Sequence, residues 1–174
     1  MKRIVLTFGL IGGLITAGML LGTMSLAKSG KMEPSMVMGF TIMIIALSVI
    51  FPAVKKYRDK EQHGAISFGK AFLIGIYITL ISSAIYAIGW EIYISTTGMT
   101  AVELMNGMYA VQIEKMKEAG ASAKEIAKYQ IGDWYNNLIL RYLTTMFMEM
   151  FPVGLIISLI CAAILKRKPK TITA

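Results

Sequence analysis

Four stretches of this chain run for twenty residues or more with almost no charge, and that constrains the fold more than any other feature. A helix needs about 20 apolar residues to cross a hydrocarbon core roughly 30 Å thick, because each residue rises about 1.5 Å. Ile4–Ala27 and Pro34–Val54 are uncharged throughout. Ala71–Trp90 is uncharged between Lys70 and Glu91, and Tyr142–Leu165 is interrupted once, by Glu149. A closed barrel would need alternating polarity, which these continuous runs lack. The sequence therefore predicts an all-α integral membrane protein. It is read as one membrane domain, 1–174, built as a four-transmembrane-helix up-down bundle with helices over about 4–27, 34–54, 68–94 and 138–165. Composition agrees, since apolar residues make up 56% and charged residues 16%, against about 45–50% and about 25% in soluble domains. A disordered chain is excluded and a soluble enzyme disfavoured.

The first run follows Lys2 and Arg3 and ends near the small residues Ser25-Leu26-Ala27, as a secretory leader would. A leader's apolar core is only about 7–15 residues long, so this longer run is read as a retained span. Short cytoplasmic connections collect Lys and Arg. Here the cations cluster at Lys2 and Arg3, in the connection Lys55–Glu61, and in the tail Lys166–Lys170. The opposite connections hold Lys28 and Lys31 in a turn, and Lys115, Lys117, Lys124 and Lys128 balanced by acids. Both termini are therefore expected in the cytoplasm. The net charge of +8 could suit nucleic acid, but beside spanning helices such clusters meet anionic lipid headgroups.

Between helices three and four lies the one sizeable polar-containing region. Val102, Met105, Tyr109, Ile113 and Met116 recur at helical spacing along one face. Gly120 is a stop signal, and Ser122 followed by Glu125 reads as a capping box that opens a second helix. The expectation is an extracytoplasmic helical hairpin over about 99–131. Its expected role is a periplasmic lid or partner-binding arm, or else simply a cap lying on the bilayer or over the bundle ends. Trp134 and Tyr135 just before helix four have the amphipathic rings that favour the headgroup layer.

Ionisable groups inside a bilayer are rare and point to function by default, since insertion costs about 2.5–3.5 kcal/mol even on permissive scales. Glu149 is the clearest such group. Pro152 lacks an N–H and frees the Met148 carbonyl beside it, so a protonated Glu149 could donate there or to a neighbouring helix. This suits a proton-titrating or ligand-coordinating site, but a purely structural interhelical bond is the more ordinary reading. If helices three and four are neighbours, Glu91 and Arg141 pair near the outer boundary. Stepping eight residues inward from each then sets Ser83 level with Glu149, completing a polar column. Arg141 could instead snorkel toward headgroups.

Other chemistry fails on inventory. With a single histidine, His63, and a single cysteine, Cys161, no HExxH site or disulfide framework can form, and no P-loop or nucleophile elbow is present. Neither cofactor nor metal is expected. Met146, Met148 and Met150 alternate, which scatters their thioethers around a helix. Gly9 and Gly13, then Gly18 and Gly22, recur at four-residue spacing and permit close helix packing.

Several phrases occur together in order: Gly9-Leu10-Ile11-Gly12-Gly13, Lys56-Tyr57-Arg58-Asp59-Lys60, Ile66-Ser67-Phe68-Gly69-Lys70-Ala71-Phe72, Gly120-Ala121-Ser122-Ala123, and Phe151-Pro152-Val153-Gly154-Leu155 through Lys168. Their order and spacing resemble the bacterial multi-pass membrane proteins catalogued as domain of unknown function 4199. The resemblance implies a bacterial inner-membrane protein and carries over no catalytic residue. On physical grounds Ser67–Lys70 and Glu149–Pro152 are the first targets for mutation. The leading expectation is a non-enzymatic membrane component that engages a membrane or periplasmic protein. The rival is a small transporter or channel subunit built on Glu149 and the polar residues Glu91, Arg141 and Ser83. Four helices enclose so little volume that this rival would call for a homo-oligomer.

Overall fold

The structure, a computed structural model, describes residues 1–29, 31 and 36–168, with the backbone alone for Met36. The expected start of the second span at Pro34, and Pro169 and Lys170 of the basic tail, lie outside the described residues. Among the described residues eight α-helices follow in order: α1 (Lys2–Lys28), α2 (Met36–Leu47), α3 (Ile50–Glu61), α4 (Phe68–Thr97), α5 (Ala101–Glu118), α6 (Ala123–Ala127), α7 (Leu138–Thr144) and α8 (Phe151–Leu165). A 3-10 turn, Asp133–Asn136, precedes α7, and a π-helical stretch, Thr145–Met150, joins α7 to α8. No strand occurs among the described residues, only one antiparallel bridge between Ile66 and Arg167. Lys2–Lys28, Val37–Glu61, Phe68–Thr97 and Leu138–Leu165 are each long and apolar enough to cross a membrane.

The second span differs from expectation in continuing as helix through Lys55–Glu61, which sequence patterning sets in a connection. Cations suit the last turn of a helix because its free carbonyls carry partial negative charge. The span breaks at Ser48–Val49 between α2 and α3. Pro52 explains the break, since it cannot donate to the Ser48 carbonyl, which accepts from Phe51 N–H at 3.0 Å instead.

Small residues decide how the spans pack. An added Cβ at Gly9 or Gly13 would come within 2.8 or 2.6 Å of Ile81 or Ile85, and at Gly12 within 2.7 Å of Ser82. The Ser82 hydroxyl donates to the Gly9 carbonyl at 3.0 Å. Rising residue numbers on α1 meet rising numbers on α4, so the first and third spans run parallel and touch. In a bundle that meandered from neighbour to neighbour they would lie on the diagonal. On its other side α4 meets the fourth span antiparallel, with Gly75 against Ser158 and Gly154 against Thr79. The α2 helix packs on α1 and α8. An added Cβ at Gly18 or Gly22, by contrast, would meet nothing within 4 Å among the described residues. Only the first glycine pair serves packing within the bundle.

One end of the bundle gathers Met1, whose amino group pairs with Glu61, and Arg167, bridged to Ile66. At the other end α5 packs against α4 and the 3-10 turn. The Asn106 side chain accepts from Ile131 N–H at 3.1 Å, and the Asn136 side chain from Val102 N–H at 3.2 Å. These two bonds hold α5 over the bundle.

Candidate functional site

Glu149 lies in the π-helical stretch Thr145–Met150. Pro152 follows at the start of α8, where its missing N–H is tolerated. A π turn inserts an extra residue and rotates all that follows, and such stretches recur at functional sites. The rotation turns Met148 outward, 74% exposed, and brings the Glu149 carboxyl inward, partly buried. There the Tyr86 hydroxyl of α4 donates to Glu149 Oε2 at 3.3 Å. Glu149 thus meets a neighbouring helix, but as acceptor, where the sequence reading has it as donor. The carboxyl borders a cavity of about 190 Å³. Its other walls include Thr16 and Thr23 of α1, Met38, Gly39 and Met43 of α2, Tyr86 and Trp90 of α4, and Met105, Met108 and Tyr109 of α5.

The expected pair forms. Arg141 donates through Nε to Glu91 Oε1 at 2.8 Å and through Nη2 to Oε2 at 2.6 Å, a two-pronged contact. Its third nitrogen group, Nη1, donates to the Tyr135 carbonyl at 2.7 Å, so Arg141 is buried in protein and does not snorkel. Arg141 also lies 5.8 Å from the centre of the Tyr135 ring. Tyr135 itself is buried and accepts a hydrogen bond from Trp90 Nε1 at 3.0 Å. This corrects the expectation that both rings face the headgroups, which only Trp134, 48% exposed, can satisfy. Burial pushes the Tyr135 phenol up to about 12, and the charge of Glu149 acts in the same direction.

The column through Ser83 does not form. Ser83 is fully buried and its hydroxyl has no hydrogen-bond partner among the described residues. Steps of eight residues stay in phase only while both partners are α-helical, and the π stretch takes the fourth span out of phase before Glu149. Tyr86, three residues further along α4, meets the carboxyl instead. Lys70 sits at the opposite end, where Nζ donates to Gln62 Oε1 at 3.2 Å and lies 5.8 Å from the centre of the Tyr57 ring. There it borders a cavity of about 1280 Å³ together with His63, Lys166, Arg167 and Lys168. Ser67 caps α4 at that end by accepting from Lys70 N–H at 3.3 Å.

The α5 face behaves as its spacing predicts, since Val102, Met105, Tyr109, Ile113 and Met116 are all half-buried. The Ser122–Glu125 capping box is present, and Thr100–Glu103 forms a second one at the start of α5. Backbone and side-chain hydrogen bonds from Thr100 hold the Glu103 carboxyl below its usual range, and those from Ser122 do the same for Glu125. Sequence reasoning missed Thr100, although its spacing to Glu103 carries the signal already recognised at Ser122. It missed Tyr86 and Trp90 because a polar aromatic inside an apolar run looks like ordinary span composition.

A family model described as a protein of unknown function, DUF4199, matches residues 7–167. No curated protein and no solved structure matches the chain.

Proposed function

The chain belongs to the DUF4199 family of proteins of unknown function, and on that premise we propose that it is a non-enzymatic subunit of the bacterial inner membrane that works as a small transporter or channel component through Glu149. One observation carries this reading: the single acid within the fourth span lies in a π stretch and borders a cavity lined by α1, α2, α4 and α5. A carboxyl held there can take up and release a proton or a cation. Placing cations on the cytoplasmic side sets both termini and the Lys70 cavity inside, beside anionic headgroups. It puts α5 and α6 outside as the extracytoplasmic hairpin, with α5 lying over the Glu149 cavity as a lid.

The test is proton flux into vesicles reconstituted with the protein and loaded with a pH-sensitive dye, under an imposed potassium diffusion potential. Glu149→Gln should abolish the flux and leave the circular dichroism spectrum unchanged. An unaltered flux in that variant would remove the proposal. A second reading, a partner-binding arm, is favoured by the apolar outer face of α5 and its lead-in, where Val111 is 63% and Met99 54% exposed. Affinity isolation in mild detergent, comparing the intact chain with a deletion of 112–129, would test it. Partners held equally by both forms would count against it.

A further inference from the structure

The walls of the Glu149 cavity select a class of ligand, an inference that rests on the transport reading and narrows it. The volume of about 190 Å³ slightly exceeds the roughly 150 Å³ of an apolar cavity able to take up benzene. The occupant is therefore about the size of one ring with short substituents. Glu149 is the one charged residue among the described residues lining the space, and it takes part in none of the ion pairs that the described residues form. Tyr86 orients the carboxyl by one hydrogen bond but does not neutralise its charge. An unpaired anion in such surroundings is costly unless a cation or a proton joins it.

The other walls favour a particular cation. The rings of Tyr86, Trp90 and Tyr109 border the same space, and aromatic faces attract ammonium groups most strongly where water is excluded. Met105 and Met108 contribute polarizable, adaptable surface for an apolar body. A hard divalent metal ion would want several oxygen ligands, carboxylates above all; the lining offers one carboxylate and neutral hydroxyls, of which those of Thr16 and Thr23 already donate to α1 carbonyls. A neutral aromatic molecule would leave that carboxylate without a partner. The geometry points to a binding site for a small lipophilic organic cation, with its ammonium head against Glu149 and the rings and its apolar body against the methionines.

The chain has two tryptophans, Trp90 and Trp134, so in a Trp134→Phe background the fluorescence of Trp90 reports directly on the cavity. The protein is placed in nanodiscs of zwitterionic lipid and titrated with benzyltrimethylammonium, then with its uncharged isostere neopentylbenzene. The ammonium probe should change Trp90 emission saturably, and the neutral isostere should bind at least tenfold more weakly. Glu149→Gln should weaken the ammonium probe at least tenfold. Gly39→Leu gives an independent check: Gly39 lines the cavity, and an added Cβ there meets nothing within 4 Å. This variant should fold and lose the probe through occupied volume alone. Equal affinity for the two probes, indifference to both substitutions, or no saturable response would overturn the proposal. If binding fails while a Glu149-dependent proton flux persists, the ligand class falls and the transport reading survives. If Glu149-dependent binding occurs without flux, the cation site stands and the transport reading falls.

Discussion

Replacing Arg141 with Met should strongly destabilise the bundle, because that buried side chain ties three elements together. It makes three charge-assisted hydrogen bonds, two to Glu91 on α4 and one to the Tyr135 carbonyl in the 3-10 turn. The side chains of Arg141 and Glu91 are 7% and 20% exposed. An exposed ion pair is worth about 0–1 kcal/mol, whereas breaking a buried one by removing a single partner costs about 3–5 kcal/mol. The partial exposure of Glu91 lets water reach the orphaned carboxylate, so the low end, about 3 kcal/mol, is expected. Against a total of about 5–15 kcal/mol, that is a large fraction. Combining Arg141→Met with Glu91→Gln removes the stranded charge and should recover about 2 kcal/mol, within the range seen for coupled contacts. Arg141→Lys should recover little, since an ammonium cannot make the two-pronged contact. Unfolding by sodium dodecyl sulfate in mixed micelles, followed by circular dichroism, measures each variant. A loss below about 1 kcal/mol for Arg141→Met, or strict additivity in the double variant, would refute the reasoning.

Gly154→Ala should lower the thermal midpoint, because the new Cβ would lie 2.2 Å from Thr79 Cγ2 and overpacking costs about 1–3 kcal/mol. Gly18→Ala, with nothing within 4 Å, should leave the midpoint unchanged or raise it through helix propensity; equal effects of the two would contradict the packing scheme. Tyr135→Phe strips the buried Trp90 Nε1 of its acceptor and should cost about 1–3 kcal/mol, with a shifted Trp90 emission in a Trp134→Phe background. The capping boxes make the starts of α5 and α6 sensitive to acid. The carboxyls of Glu103 and Glu125 are held below their ordinary value of 4.5, so their stabilisation is present above that value and lost as pH falls through the lower folded-state value. The protection of the first-turn amides, taken relative to their intrinsic exchange rates, should therefore fall on acidification, and Thr100→Ala should flatten that dependence for α5.

Much of this arrangement is legible in the sequence because lipid imposes few choices on an uncharged run of twenty residues. The four spans, the α5 face through Val102 and Met116, the Ser122 cap and the Glu91–Arg141 pair all follow from spacing. What was not legible depends on contacts between distant segments. Gly9 and Gly18 look alike in a four-residue pattern, yet only Gly9 meets Ile81. The parallel contact of the first and third spans follows from that meeting and from no local signal. Ser83 failed as a partner of Glu149 for a different reason. Counting along an ideal helix cannot anticipate a π stretch, and one extra residue per turn is enough to exchange Ser83 for Tyr86. Tyr135 was misplaced because aromatic rings beside a span favour the headgroups only when no buried partner, here Trp90, is within reach.

That the Glu149 carboxyl borders a cavity lined by α1, α2, α4 and α5 is tested most directly by thiol accessibility. In a Cys161→Ala background, Glu149→Cys and Met148→Cys are exposed in sealed vesicles to a small, positively charged, membrane-impermeant thiol reagent applied from either side. With both termini cytoplasmic, as proposed, Glu149→Cys should react from the extracytoplasmic side alone, and Met148→Cys, turned outward at 74% exposure, from neither. Reaction of Glu149→Cys from the cytoplasmic side, or the same unreactivity as Met148→Cys, would contradict it.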